Sequence, residues 1–476
     1  MSETNGTYIG KRGYTIYKDC LTPKDLKFIR DSLNVAPYIP KSPVQPEAFP
    51  VFLESRNKIY MPRYFGLEHF GPPDEYKLSH GEHIKIEFNG KVRDNQKQII
   101  DTYMTKIDGE IGGGGLLDVP CGWGKTAMAL NIISRLNTKT LVIVHKGFLL
   151  NQWIERITEF LPTAKVGRIQ GKIIDIEGKD IVIGMLQSLS MKTYSDDMFT
   201  CFGLTIVDEC HHISSEVFSK SLSSIVTKYT LGLSATMNRK DGLTHVFKMF
   251  LGEIAFSIER EKEDNVLVKA LEFKSNDVEF EEVVLDYRGN PQYSTMITKI
   301  CDYSDRSEFI LKVVQKELEE TPNQQIMILG QNKSILVYIH DAIEHRKIAS
   351  VGYYVGGMKE EKLKESETKT IIVATYAMAA EGLDIKSLTT LLLATPRTDV
   401  VQAVGRILRV KRDRPLVIDI VDTHEVFKRQ YKKRLAFYRK NNYTIMDSDS
   451  VNYFKDIWKT KQSPTSQKVS KCLISV

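Results

Sequence analysis

Eight consecutive residues carry the densest potential for chemistry: Val119-Pro120-Cys121-Gly122-Trp123-Gly124-Lys125-Thr126. They lie between an apolar run, 115–119, and a helical pattern, 127–136. A strand, a glycine-rich turn and a helix start make a phosphate cradle, because glycines let backbone N–H groups approach an anion and the helix N-terminus favours negative charge. Lys125 is placed to meet β- and γ-phosphates, and the Thr126 hydroxyl to ligate Mg²⁺. Val119 stands where the usual pattern has its first glycine. A second constellation, Asp208-Glu209-Cys210-His211, ends the apolar run 204–207. Acids at the carboxyl edge of a parallel sheet lie beside such a cradle. Asp208 could hold Mg²⁺ through water, and Glu209 could orient and deprotonate an attacking water. His211 and His212 point in different directions and lack further ligands for zinc, so His211 reads as a sensor of the γ-phosphate.

Apolar runs of four to seven residues alternate with helical patterns from about residue 91. One set is 115–119, 140–144, 180–184, 204–207 and 230–233; a second is 325–329, 370–374, 389–393 and 416–420. Near-continuous apolar strands separated by helices predict α/β structure with parallel sheets covered on both faces, twice in tandem. The boundaries expected are a small N-terminal accessory domain at 1–90, a first α/β domain at 91–258, a linker or insertion at 259–300, a second α/β domain at 301–425, and a basic extension at 426–476. Within 1–90 the pattern predicts a helix over 23–33, capped by Thr22 with Pro23 in its first turn.

Composition narrows the class. The chain has 476 residues, 42% hydrophobic and 26% charged, which excludes collagen-like and disordered chains. No apolar run reaches the ~18–20 residues that cross a bilayer, and the N-terminus lacks a signal-peptide core, so an intracellular, soluble protein is expected. Six cysteines without a Cys-x-x-Cys pair suggest neither disulfides nor zinc. The net charge of +6 is compatible with nucleic acid without proving it. Positive charge concentrates at 428–440, with Tyr431, Phe437 and Tyr438 interleaved. That segment could track phosphates and stack on bases, or could be an amphipathic helix packed on the second domain. Asp74-Glu75-Tyr76-Lys77 superficially echoes a nuclease element, but no upstream strand acid accompanies it.

The motifs and their order resemble superfamily 2 helicases of the DExH type over about 91–422. Arg93 and Gln96 resemble the adenine-reading segment, 141–153 motif Ia, and 184–189 the motif Ib/Ic neighbourhood. Ser234-Ala235-Thr236 is similar to motif III, which couples nucleotide state to domain movement. The segment 375–384, with Gly382 and Asp384, looks like motif V. Gln402-Ala403-Val404-Gly405-Arg406-Ile407-Leu408-Arg409 resembles motif VI, the source of arginine fingers. Pro120 to Thr126 further resembles the loop of XPB-type DNA translocases. So does Arg239-Lys240-Asp241-Gly242, except that Lys240 stands for a glutamate, which puts a duplex-wedging role in doubt. Looser similarity in 60–66 and 437–443 points to helicases of large DNA viruses, among them the poxvirus transcript-release helicase and its asfarvirus relatives.

The resemblance implies two tandem RecA-like domains and ATP with Mg²⁺ as cofactors. Catalysis falls to Lys125, Asp208, Glu209, Gln402, Arg406 and Arg409, with Thr126 and Asp208 holding the metal. Arg93, Gln96, the loop from Pro120 to Thr126, Gly382 and Asp384 would bind nucleotide, and His211, Ser234 and Thr236 would couple. Lys146, Gln152, Gln187, Ser188, Asn332, Lys333 and Thr375 are candidates for gripping nucleic acid. DNA is the favoured partner, in transcription or repair, for a motor acting as a single chain in the nucleus or, if viral, in host cytoplasm or virion. An RNA helicase and a nucleotide-gated clamp that does not unwind are the alternatives.

Overall fold

The computed structural model describes residues 6–39, 44–120, 122–195, 197–212, 216–235, 237, 241–258, 265–381, 385–408 and 414–462. The chain divides into two compact units, Met1–Arg260 and Glu261–Val476.

Each apolar run of the first unit is a strand of one sheet. Its order is Ile173–Ile174, Val166–Gln170, Ile181–Met185, Thr140–Val144, Leu204–Asp208, Tyr229–Ser234, Gly112–Asp118, Ile254–Ser257, with Ile107–Asp108 pairing off this path. Only the short pieces Ile173–Ile174 and Ile107–Asp108 run antiparallel to their neighbours. Leu141, Val142, Ile143 and Val144 are all buried, as a strand covered on both faces requires. The register sets Ser234 opposite Asp118 and Leu233 opposite Asp208. Three strands therefore deliver their carboxyl ends to one place.

The N-terminal region builds a five-stranded sheet, Leu53–Glu54, Lys58–Met61, Gly13–Tyr17, Thr7–Gly10 and Glu75–Tyr76. Its helix Pro23–Ser32 carries the expected cap, Thr22 accepting from Asp25 N while the Asp25 carboxylate accepts from Thr22 N. Tyr14, Phe65, Phe247 and Phe250 share one buried cluster, so this region and the sheet behind it have a common core. Arg63, 4% exposed, donates to the Lys228 and Ile111 carbonyls at 2.8 and 3.1 Å. Asp74 accepts from Thr7, and Glu75 pairs with Lys77, so the nuclease-like echo is a set of local contacts. No metal-ligating cluster occurs among the described residues.

The second unit repeats the plan. Its sheet runs Val351–Tyr354, Ile371–Thr375, Ile326–Gly330, Thr390–Leu393, Leu416–Asp422, Leu267–Phe273, Thr444–Asp449, Lys459–Gln462, the last strand alone antiparallel. Leu267–Phe273 lies inside the stretch expected as a linker, yet it pairs with two strands of this sheet. Its Lys269 is bonded to Glu317, 2% exposed, at 2.6 Å, which is how a charged residue sits in a sheet interior. The expected C-terminal extension likewise supplies the strands at the far edge.

The basic segment is the helix Glu425–Lys440. Tyr431 and Tyr438 are buried, which favours the second of the two readings, a helix packed on the second domain. Arg434 and Tyr438 both serve Asp419, the guanidinium donating two bonds of 2.8 Å and the phenol one of 2.9 Å, while Tyr431 donates to Asp447 at 3.4 Å. Lys432, Lys433, Arg439 and Lys440 remain exposed.

Candidate active site

The strand Gly112–Asp118 runs through Val119 and Pro120 into the turn, and the helix Lys125–Leu136 follows. Val119 is fully buried, and its N–H donates to the Ser234 carbonyl at 3.1 Å. The position that departs from the usual glycine is thus a core residue. Gly122 and Gly124 do need to be glycine, having φ of 87° and 79°. A Cβ on Gly124 would lie 2.5 Å from Gln96 Nε2. Lys125 Nζ donates to the Val119 carbonyl at 3.1 Å, so the ammonium lies over the loop. The first-turn N–H groups of the helix have no intrahelical acceptor, which leaves them to an anion.

Gln96, 5% exposed, locks this loop to the segment before it. Its Nε2 donates to the Trp123 carbonyl at 2.8 Å, and its Oε1 accepts from Arg93 N at 3.1 Å. The Arg93 side chain is exposed.

Asp208 ends the neighbouring strand. Its Oδ1 accepts from Glu209 N at 3.0 Å and its Oδ2 from Trp153 Nε1 at 2.9 Å. Burial, then the charge of Glu209, pushes the Asp208 carboxyl up to about 6, against the opposing pull of Trp153, Lys125 and His145. Glu209 adopts a left-handed φ of 48°, a conformation that costs a non-glycine residue energy and turns its side chain off the strand path. Its Oε2 is buried and has no hydrogen-bond partner among the described residues. His211 Nδ1 lies 3.4 Å from that oxygen and 2.9 Å from Ser234 Oγ. One imidazole nitrogen thus lies between Glu209 and the serine of the third strand.

Among the candidates for nucleic acid, Lys146 precedes the helix Gly147–Phe160, which carries Gln152, and Gln187 and Ser188 lie on the helix Leu186–Met191. Gln187 Nε2 donates to the His145 carbonyl at 2.7 Å, so these two segments meet at paired strand ends. In the second unit Asn332 and Lys333 start the helix Lys333–His345, and Thr375 lies opposite Gly330 in the sheet. Gln402 and Arg406 lie on the helix Val401–Ile407. Arg406 is 6% exposed, and its Nε donates to the Ala379 carbonyl at 2.9 Å. Cys121, Thr236, Gly382, Asp384 and Arg409, together with Arg239 and Lys240, lie outside the described residues.

With this geometry in view, the comparisons decide the family. Residues 89–239 match the family described as Type III restriction enzyme, res subunit. Protein L396 of Acanthamoeba polyphaga mimivirus, provisionally named an ATP-dependent RNA helicase, is 36% identical over 97% of this chain and 91% of its own. The chain belongs to the superfamily 2 helicases. Relatives of this helicase extend to 161L of Invertebrate iridescent virus 6, 26% identical over 75% of this chain and 83% of that one. They also include QP509L of African swine fever virus, 27% identical over 69% of each. Yeast Dbp5, solved with RNA and ADP BeF3, shares the helicase fold at a TM-score of 0.53 and 12% identity, over 77% of this chain and 92% of that one. The enzyme is accordingly an ATP-dependent helicase, two mostly parallel sheets forming its RecA-like pair. Among its described residues no helix is long and apolar enough to cross a membrane.

Trp153 escaped the sequence reading as a site residue. On the apolar face of a helix an indole reads as core, which it is; only its lone N–H donor hints at a polar partner.

Proposed function

We propose that this helicase is an ATP- and Mg²⁺-dependent translocase acting on DNA duplexes or DNA-containing hybrids, in transcription or repair. What carries the ATP-hydrolysing part of the reading is the convergence of Lys125, Asp208, Glu209 and the His211–Ser234 pair at one sheet edge. DNA rests on the resemblance of the loop from Pro120 to Thr126 to that of XPB-type DNA translocases. Phosphoryl transfer to water passes through a loose transition state with charge spread over the equatorial oxygens, so catalysis is placement plus positive charge. The loop N–H groups and Lys125 bind the phosphates. Glu209 orients the attacking water and takes its proton. Thr126 and Asp208 would hold Mg²⁺, which neutralises charge on the phosphate oxygens when bound. The Glu209 oxygen that has no hydrogen bond among the described residues, and the Asp208 carboxylate with one donor on each oxygen, fit such a hydrated ion. Gln402, Arg406 and Arg409 are assigned to catalysis, and Gly382 and Asp384 to nucleotide contact. Thr236 joins Ser234 in coupling.

The nucleic acid is gripped by its sugar-phosphate backbone through Lys146, Gln152, Gln187 and Ser188 on one unit and Asn332, Lys333 and Thr375 on the other. Such contacts carry little sequence information. RNA is the second reading, favoured by the names of the mimivirus and African swine fever virus relatives. ATPase stimulation by single-stranded DNA, duplex DNA and RNA at stated salt, beside strand displacement, decides between them. The proposal expects DNA to stimulate most, with displacement. Greater stimulation by RNA overturns the DNA assignment, and stimulation without displacement or translocation makes the protein a clamp.

A further inference from the structure

We infer that Trp153 is a positioning residue of the hydrolysis site. It aims the Asp208 carboxylate and ties that carboxylate to the helix that also carries nucleic-acid contacts. The inference rests on the nucleotide-site reading above.

A carboxylate at a strand end can rotate about its last torsion unless both oxygens are held. Here Oδ1 accepts from Glu209 N at 3.0 Å and Oδ2 from Trp153 Nε1 at 2.9 Å. One donor on each oxygen fixes the plane and leaves each oxygen a further lone pair for the water shell of a cation. Trp153 is itself immobile: it is 1% exposed and packs in one buried cluster with Val144, Leu149, Leu150 and Ile157. Its indole has a single donor and no acceptor, so nothing else in the ring can replace the contact. Outer partners of this kind set the orientation of metal ligands, and their loss weakens metal affinity by roughly 10–100-fold.

The placement on the helix adds a second consequence. Trp153 directly follows Gln152 on the helix Gly147–Phe160, and Lys146 immediately precedes that helix. The start of the helix is pinned by Gln187 through the His145 carbonyl. Residues proposed to grip the strand and the residue that holds the metal-binding carboxylate therefore share one rigid element. Strand binding reaches Asp208 through a single hydrogen bond.

Trp153→Phe keeps most of the ring and removes the donor. In the full chain, Mn²⁺ binding measured by electron paramagnetic resonance with a non-hydrolysable ATP analogue should weaken about tenfold. Analogue binding without metal should stay at the native value. The ratio of polynucleotide-stimulated to basal ATPase should fall as well. Native Mn²⁺ affinity overturns the positioning role, and an unchanged ratio overturns the link to strand binding. Should the variant fail to fold, the native protein supplies the test. Of its three tryptophans, Trp153 should show an indole ¹⁵N–H resonance broadened by Mn²⁺ and analogue. An unbroadened Trp153 signal overturns the inference. If Lys125→Ala also retains ATPase, the site reading itself fails; if only the Trp153 results are native, the failure is confined to this inference.

Discussion

The two units follow one plan and spend their polar residues differently. Numbered along each unit, the shared strands run 3-4-2-5-6-1-7 in both sheets. In the first unit strand one enters a glycine turn and a helix, and strand five ends in two acids, one with an unpartnered oxygen. In the second unit strand one enters Lys274, whose ammonium is bonded to Asp449 at 2.8 Å, and the acids of strand six are neutralised in place. Asp419 is held by Arg434, and Asp422 by Arg306 at 2.5 and 2.9 Å, all of them essentially buried. The same scaffold presents an open polar edge where a carboxylate oxygen has no hydrogen bond, and a closed one where its acids are paired.

Substitutions at matching places break or sharpen this contrast. The largest effect is expected from Lys125→Ala, which should lower nucleic-acid-stimulated ATPase by about 10²–10³-fold or more. Lys274→Ala, at the matching strand end, should change it by about twofold at most, since it removes only an exposed ion pair. Steady-state rates for both variants check the pair. Arg434→Met should destabilise the second unit by about 3–5 kcal/mol, because it strands Asp419 in the interior. Calorimetry should show that loss while nucleotide still binds the native first unit. Gly124→Ala forces a Cβ into a left-handed conformation costing about 1–2 kcal/mol, before the clash with Gln96 is counted. A nucleotide titration should show weaker binding with an unchanged far-ultraviolet spectrum. Ser234→Ala removes one hydrogen bond, worth ~1 kcal/mol, from His211. Its expected signature is less strand displaced per ATP hydrolysed, by about fivefold, with binding unchanged.

Much of this was legible in the residues. The apolar runs 140–144 and 416–420 announced strands because burial on both faces leaves no alternation to confuse them. The places of Lys125 at a helix start and of Asp208 and Glu209 at a strand end were legible because apolar runs and a glycine turn mark those boundaries. Leu267–Phe273 was not, since Lys269 and Glu272 interrupt its apolar pattern and charged stretches flank it. Glu317 and Glu320, distant in sequence, make that lysine tolerable inside the sheet. Trp153 was hidden for the opposite reason: its ring fits the core so well that its one polar atom went unweighed. The basic helix read two ways because its inward tyrosines look like stacking residues until Asp419 and Asp447, on two other strands, are known to receive them.

The account stands most directly on Glu209→Gln, measured for nucleotide binding, ATPase and strand displacement in one preparation. An amide at that place keeps the shape and cannot take the proton of the attacking water. The account predicts near-native nucleotide binding, with hydrolysis and displacement reduced by about 10²–10⁴-fold. Hydrolysis at the native rate would contradict it.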